Sequence, residues 1–459
     1  MRVYRTMIER LARPVDLRSL GAFRVLLGGL LLYAELRYLT SGWIPVHFGE
    51  SSYFFKYLVA PWAPTWTPAG VSLHHGFLAV LACAILIGWR FRLCVALYCV
   101  GFTLAQFMDA TNYLNHYYQV VLLTFLTAWM PLGHAYGLDG RRAGDQRLRH
   151  APAWMLYILR FQVAVVYVHA AIAKIGSDWL LYGQPMDLWL ASRTETPLIG
   201  WLNQFPWMPL AMSWGGFLFD ATIIGWLMWS RSRPFAYLVV IIFHLMTHLL
   251  FNIGLFPWIM MITTTLFFAP DWPQRLAERI GGWKGDVLQD EAPPPRSKPR
   301  PLLWVALSCW ILFQGLFPLR NLIVPGNVLW HEHGMRFSWR VMVREKNAGL
   351  DYRVKDRASG RVWHVNPKRY LSWRQLGEMS CQPIMVVQMA RHIAQEFARE
   401  RKLDVAVYAD VEASLNGRAP QVLIDPEVDL TQVNLWSFDR TWILPGPETP
   451  PPSRWIAKK

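Results

Sequence analysis

Residues 153–173 read AWMLYILRFQVAVVYVHAAIA, and Arg160 is the one charged side chain among them. A helix of about 20 mostly apolar residues is long enough to cross the hydrocarbon core of a bilayer. We therefore predict a membrane-spanning helix over 153–173, and eight further stretches have a similar apolar character. These further candidate spans are residues 19–39, 70–89, 91–108, 116–133, 208–229, 235–251, 255–268 and 302–319.

The composition also indicates a membrane protein. Hydrophobic residues make up 53% of the chain and charged residues only 17%, whereas an ordinary soluble domain has about 25% charged residues. The 25 Trp and 17 Tyr residues are of the kind that favours the level of the lipid headgroups. A net charge of +15 could suggest nucleic acid, but the basic residues lie mainly in short loops and a polar tail. We expect no nucleic-acid partner.

The distribution of charge predicts the orientation, because short loops rich in Lys and Arg remain in the cytoplasm. With a cytoplasmic N-terminus, residues 1–18 and the loops 88–92, 134–152, 230–234 and 269–301 lie inside and hold 19 Lys or Arg. The short outer loops hold three, which are Lys56, Lys174 and Arg193. We expect a multi-pass protein of the plasma (inner) membrane, with its C-terminal part outside.

These patterns divide the chain into three parts. They are a basic cytoplasmic arm (1–18), a transmembrane domain (19–320) with a Pro-rich cytoplasmic linker at 283–301, and an extracytoplasmic domain (321–459). In the last part we predict a strand at 337–343, a helix over 383–402 and a hairpin of 405–415 with 422–424 around Asn416-Gly417. The predicted fold is an α-helical membrane bundle of about nine transmembrane helices, followed by a small α+β domain.

Three polar residues fall near the outer ends of predicted spans, where polar groups are costly and usually face the interior of a bundle. Lys174 ends one span, and its side chain either snorkels to the surface or turns inward, where desolvation favours the free amine, a base. His116, preceded by Asn115, begins another span as a helix-end anchor or as a group that binds a ligand oxygen. His244 lies in the outer part of a third.

Other polar residues in the spans leave further alternatives open. His244 and His248 are four residues apart and share a helix face, as a pair of metal ligands would. Because only one HxxxH pattern occurs, we favour a structural or substrate-positioning role and expect no metal. The remaining polar residues favour interhelical pairing or snorkelling. They are Arg24, Arg37, Arg160 and Asp220.

Five segments, in the right order and at comparable separations, resemble the vitamin K-dependent gamma-glutamyl carboxylases. The resemblance is to a bacterial form with the horizontally transferred transmembrane domain. The segments are Asn115-His116; Leu159-Arg160-Phe161-Gln162 with Tyr167, Ala170, Lys174 and Asp178-Trp179; Phe243-His244 with Phe251-Asn252-Ile253-Gly254-Leu255-Phe256; Phe337-Ser338-Trp339 with Met342; and Ile424-Asp425-Pro426-Glu427-Val428-Asp429-Leu430.

The resemblance implies a coupled reaction. A reduced naphthoquinone (reduced vitamin K, as phylloquinol or menaquinol) would be oxidised by O2 to its epoxide while CO2 carboxylates a peptide glutamate to γ-carboxyglutamate, without a metal. It implies that Lys174, His116 and Asn115 are catalytic. Residues that bind the quinone or the substrate would be His244, Tyr167, Arg160 and Trp179. The implied partners are the lipid bilayer, a membrane quinone and a secreted or membrane-presented protein or peptide that contains glutamate.

Two alternative functions remain open at this point. The first is a membrane enzyme that oxidises or epoxidises a quinol without carboxylating a peptide. The second is a non-catalytic protein that binds a quinone or a lipid.

Overall fold

The computed structural model describes residues 8–281, 301–437 and 439–457. Residues 1–7 of the predicted basic arm lie outside the described residues, as does the predicted Pro-rich linker 283–301 except for Pro301.

The described part of the chain is mainly helical, with strands concentrated near its C-terminal end. The α-helices are α1 (Arg18–Thr40), α2 (Pro68–Ile87), α3 (Phe91–Met108), α4 (Asn115–Thr127), α5 (Leu138–Ala143), α6 (Ala153–Ala173), α7 (Ser177–Leu180), α8 (Met186–Ala191), α9 (Met208–Met228), α10 (Arg233–Leu250), α11 (Phe256–Thr264), α12 (Trp272–Gly281), α13 (Pro301–Leu316), α14 (Val328–His331), α15 (Trp373–Ser380) and α16 (Pro383–Arg401). The strands are β1 (Pro14–Asp16), β2 (His150–Pro152), β3 (Lys346–Asp356), β4 (Val362–Val365), β5 (Val405–Leu415) and β6 (Gln421–Val422).

Within the described ranges, seven helices are long and apolar enough to cross a membrane: α1, α2, α3, α6, α9, α10 and α13, the last continued by a 3-10 turn to Ile323. The predicted bundle is thus confirmed, with two of the nine predicted spans present as the shorter helices α4 and α11. Helix α4 ends at Thr127, and Pro131 follows, which cannot continue a helix because it lacks a backbone N–H. Helices α10 and α11 are separated at Gly254, whose φ of +60° is favourable for glycine.

Small residues allow α1 to lie very close to its neighbours. A Cβ added at Gly28 would lie 2.6 Å from the backbone nitrogen of Leu86 in α2, and one added at Gly21 would lie 2.4 Å from Cβ of Ala135. Close approach of backbones at glycine is a common way to pack helices in membranes, where the hydrophobic effect between helices is weak.

The fully buried side chain of Arg24 in α1 connects the C-terminal end of α2 with the loop after α4. Its guanidinium donates to the carbonyl oxygens of Ile85 (2.8 Å), Tyr136 (2.9 Å) and Ala135 (3.2 Å), and also to that of Leu86. A cation at the C-terminal end of a helix satisfies carbonyl groups that have no partner within the helix. Arg24 therefore has a structural role at the end of α2.

The C-terminal part contains a four-stranded sheet in the order β4-β3-β5-β6, with every neighbouring pair antiparallel. Strands β3 and β5 pair along their whole length, with Tyr352 opposite Ala409. Helix α16 packs its apolar face on the sheet through Met389, Ala390 and Ile393, which are fully buried. The predicted α+β domain is confirmed, and the predicted helix 383–402 and strand 405–415 are both present.

The predicted strand at 337–343 is wrong. This segment forms consecutive turns in which Phe337, Trp339 and Met342 have positive φ angles, a conformation that is incompatible with an extended strand. The turns bury the Trp339 ring completely against Tyr118, with the ring centroids 5.0 Å apart. Tertiary packing of one large side chain has overridden the local preference for a strand.

The C-terminal domain rests on one end of the helical bundle, which we call the domain side. The Gln375 side chain donates to Asp109 Oδ2 (2.8 Å), and Arg418 donates to both carboxylate oxygens of Asp178 (2.6 and 2.7 Å). Described parts of the segments predicted to be cytoplasmic meet at the other end, where β1 pairs with β2 and the backbone N–H of Ser19 donates to the Pro270 carbonyl.

The close contact at Gly28 predicts that Gly28→Ala destabilises the bundle by about 1–3 kcal/mol, because the added methyl group forces the backbones of α1 and α2 apart. Gly29→Ala is the matched control, since a Cβ there would meet only Leu86 Cδ1, at 3.9 Å. Thermal unfolding in detergent, followed by tryptophan fluorescence, measures both variants. Equal melting temperatures for the two variants would contradict the proposed packing.

Candidate active site

A cavity of about 570 Å³ lies among α6, α9 and α10, toward the domain side. Such a volume is typical of sites for organic ligands, which measure about 300–1,000 Å³. The wall is mainly apolar and rich in aromatic and methionine side chains. These residues are Trp207, Met208, Met212, Phe219, Phe243, Met246, Phe251, Phe256 and Met342.

Lys174 immediately follows α6 and turns its side chain into this cavity. Only 7% of the residue is exposed, and its ammonium donates to Asp220 Oδ2 at 2.7 Å and to the Ala170 carbonyl at 3.3 Å. The Asp220 carboxylate, from the middle of α9, is equally buried. Of the two positions considered for Lys174, the inward one is therefore present, and its partner is a carboxylate.

Tyr167 and His244 form a second polar pair in the same cavity. The Tyr167 hydroxyl and His244 Nε2 lie 2.9 Å apart, and both side chains are buried. Tyr167 is two helical turns before Lys174 in α6, so the two side chains share a face. Among the described residues, His244 Nδ1 is buried without a hydrogen-bond partner. A bound ligand can supply one, since a buried polar nitrogen that remains unpaired is costly.

Trp179 and two glycines shape the cavity around Lys174. The Trp179 indole N–H donates to the Ser213 carbonyl (2.7 Å), which holds its ring 5.3 Å from Lys174 Nζ. A Cβ added at Gly216 would lie 3.7 Å from the Trp179 ring and 4.0 Å from Lys174 Cε. Gly215 and Gly216 both line the cavity, and their lack of side chains widens it next to the lysine.

His116 lies outside the wall of this cavity but close to it. Its ring packs edge-on against Phe256, with the centroids 6.4 Å apart, and Phe256 also contacts the His244 ring at 6.3 Å. Phe256 thus contacts both histidines. His116 is buried, and its Cε1 would be 3.5 Å from a Cβ added at Gly254.

Asn115 belongs to a second, smaller cavity of about 200 Å³ between the bundle and the C-terminal domain. The Asn115 Oδ1 accepts from the Tyr113 hydroxyl at 3.0 Å. Met342 lines both cavities, so the second cavity adjoins the first. Charged residues of the second cavity are Glu332, Arg336, Arg340, Arg344 and Glu378.

Arg160 is not brought to either cavity. It lies fourteen residues before Lys174, which is about 21 Å along an α-helix. Its guanidinium donates to the carbonyls of Leu266 (2.8 Å), Phe268 (3.1 Å) and Phe267 (3.4 Å) at the end of the segment that follows α11. The structure thus gives Arg160 the role of satisfying helix-end carbonyls, as Arg24 does on α2.

The structure also reveals residues that the sequence did not connect to the site. Asp220 was recognised only as a polar residue within a span, and its partner Lys174 is 46 positions away. Arg336 and Arg344 flank the segment 337–343 that was predicted to be a strand. In the part of the chain that the structure describes, no group of three or more His, Cys, Asp or Glu side chains could hold a metal ion.

Two protein-family models match the chain and together cover most of it. The model of the HTTM domain matches residues 12–272, more than half of the 459 residues, and the model of the vitamin K-dependent gamma-carboxylase lumenal domain matches residues 299–449. No solved structure gives a significant match. The two matches cover the helical bundle and the α+β domain in turn, and the chain belongs to the vitamin K-dependent gamma-carboxylase family.

Proposed function

We propose that this protein is a membrane enzyme that couples oxidation of a reduced naphthoquinone to its epoxide with carboxylation of glutamate in a peptide. The observation that carries the proposal is a buried lysine, paired with a buried carboxylate, in an apolar cavity of about 570 Å³. The lumenal-domain match places the protein in a family that implies reduced vitamin K as cofactor. O2 and CO2 are the proposed co-substrates.

The residues of the cavity fit a naphthoquinone. The bicyclic ring system and its isoprenoid chain are apolar, and they match a wall of aromatic and methionine side chains. The ring oxygens need polar partners, and candidates among the lining residues are Lys174 Nζ, the Tyr167 hydroxyl and the unpaired His244 Nδ1. We assign Trp179 to the wall that confines the ring beside Lys174.

Bound reduced naphthoquinone supplies electrons for O2 and, through its oxidation, the basicity that removes a γ-proton from glutamate. Lys174 Nζ accepts the hydroquinone hydroxyl proton in our proposal, which requires the free amine. Asp220 Oδ2, at 2.7 Å from Lys174 Nζ, is the group that can take a proton from Lys174 and prepare it to act as a base. The apolar wall excludes water, which would otherwise reprotonate a carbanion.

Glutamate is proposed to approach through the second cavity. Its arginines can bind a carboxylate through charge-assisted hydrogen bonds. Arg336 is only loosely paired with a carboxylate of the protein, since Glu378 lies 3.9 Å away. Asn115 lines this cavity and lies next to His116 in the chain. We propose that Asn115 and His116 stabilise negative charge between the two sites, and that Met342 borders the passage between the cavities.

The proposed orientation in the membrane is supported by the charge of the loops. We propose a plasma membrane location with a cytoplasmic N-terminus and linker (283–301), a transmembrane domain over 19–320 and an extracytoplasmic domain over 321–459. A secreted or membrane-presented peptide would then reach the second cavity from outside, while the quinone enters from the bilayer.

Because Lys174 is the proposed base, we predict that Lys174→Arg lowers the rate of carboxylation about 100-fold or more. The guanidinium remains charged and cannot accept a proton, but it can still pair with Asp220. The assay supplies reduced vitamin K, a short glutamate peptide and labelled bicarbonate to purified protein. Lys355→Arg, on the exposed surface of β3, should retain full incorporation of label. Carboxylation by the Lys174 variant at the wild-type rate would contradict the proposal.

The Tyr167–His244 pair predicts that Tyr167→Phe raises KM for the hydroquinone about five-fold, the value of one net hydrogen bond. The control Tyr237→Phe removes a hydroxyl that donates to the Met261 carbonyl (3.4 Å) outside the cavity. In this variant KM for the hydroquinone should not change. The KM values come from hydroquinone-dependent O2 consumption. Equal values for the two variants would remove Tyr167 from the site.

The second cavity predicts that Arg336→Gln raises KM for the glutamate peptide about ten-fold through loss of a charge-assisted hydrogen bond, with no change in KM for the hydroquinone. Lys355→Gln serves as a control that removes one charge from an exposed strand of the same domain. An effect of Arg336→Gln on the hydroquinone instead would show that the two cavities do not separate the substrates.

A further inference from the structure

A third cavity lies on the flank of the bundle, beside the break between α10 and α11. Its volume is about 600 Å³. Its lining includes Tyr33, Arg37, Arg193, His248, Leu249 and Trp258. We call it the flank cavity. It borders the wall of the proposed active site at Phe251, which lines both spaces.

The flank cavity combines cations with an apolar wall. Arg37, near the end of α1, and Arg193, in the loop after α8, are exposed and come from distant parts of the chain. In the described parts of the structure, neither guanidinium has a carboxylate within salt-bridge distance or an acceptor for a hydrogen bond. His248 adds a third basic group, and its ring packs at 5.8 Å from Trp258.

The apolar residues next to these cations are exposed. Tyr33 is 56% exposed, Leu249 51% and Trp258 41%. They lie on helices long or apolar enough to be in the membrane, so the surface that they form faces lipid. Tyr and Trp at this level are typical of the zone of lipid headgroups.

Charge and position together identify one class of ligand. A phosphate group matches two guanidinium groups, which bind it through paired charge-assisted hydrogen bonds. Acyl chains match the exposed apolar surface directly below. Within the described ranges no residue of the C-terminal domain lines the flank cavity, whereas a peptide that approaches from that side would contact the domain. A lipid therefore fits the flank cavity better than a peptide does.

We propose that the flank cavity is a binding site for an anionic phospholipid, whose phosphate is held between Arg37 and Arg193 at the domain side of the membrane. The lipid would join α1, the loop after α8 and the helix break at 251–254. Gly254 of that break lies against His116, since an added Cβ would be 3.5 Å from its ring. This proposal does not depend on the proposed enzymatic function.

The test uses native mass spectrometry of the full chain in detergent with dioctanoyl phosphatidylglycerol, compared with dioctanoyl phosphatidylcholine. The wild type should retain phosphatidylglycerol in preference to phosphatidylcholine. The double variant Arg37→Gln/Arg193→Gln should bind phosphatidylglycerol about ten-fold or more weakly through loss of charge-assisted hydrogen bonds. The control Arg142→Gln/Arg231→Gln removes the same charge from exposed positions at the opposite end of the bundle and should bind normally.

Each outcome decides the proposal. Equal retention of the two lipids by the wild type, or undiminished binding by the Arg37/Arg193 variant, would overturn it. Inorganic phosphate is tested in a third measurement. If phosphate saturates the site at the same concentrations as phosphatidylglycerol, the flank cavity is a simple anion site and the assignment to lipid is overturned. If the lipid-free double variant has a lower melting temperature than the wild type, the single variants Arg37→Gln and Arg193→Gln replace it. Each should show a smaller loss of affinity for phosphatidylglycerol.

Discussion

An ammonium and a carboxylate, 2.7 Å apart and both buried in the membrane part of the protein, set the constraint around which the site is organised. Burial of either charge alone would be strongly unfavourable, since removal of one partner from a buried pair typically costs about 3–5 kcal/mol. Lys174 after α6 and Asp220 in α9 therefore hold these two helices together. The same contact keeps the amine next to a proton acceptor, which ties the stability of the bundle to the proposed chemistry.

Other polar side chains in the bundle are also stabilised by partners within the protein. Polar groups in the membrane must find partners within the protein, and several have done so: Arg24 and Arg160 bind carbonyls at helix ends, and Tyr167 binds His244. His244 Nδ1 is one of several buried polar atoms that lack such a partner among the described residues, and His244 lines the cavity that we assign to the quinone. His244 therefore has an unpaired nitrogen in the side chain that we expect to bind a ligand oxygen.

Much of the fold could be predicted from the sequence, because apolar length alone specifies helices such as α3 and α6, whose predicted limits match those observed. The turns at 337–343 could not, since they depend on burial of Trp339 against a helix more than 200 positions earlier. Lys174 and His244 were identified as neighbours of one site, but the sequence contained no signal that pairs Asp220 with Lys174. Arg160 lies in a motif that resembles the family, which predicted a role at the site. Its side chain instead binds carbonyls at a helix end.

Photo-crosslinking with an azido-naphthoquinone, followed by mass spectrometry of the labelled peptides, tests most directly whether the apolar cavity beside Lys174 holds the quinone. We predict adducts within residues 166–179, 207–220 or 239–247, segments that line this cavity and not the flank cavity, and competition by unmodified reduced vitamin K. Adducts confined to α1 around Arg37, in the flank cavity, would contradict the assignment.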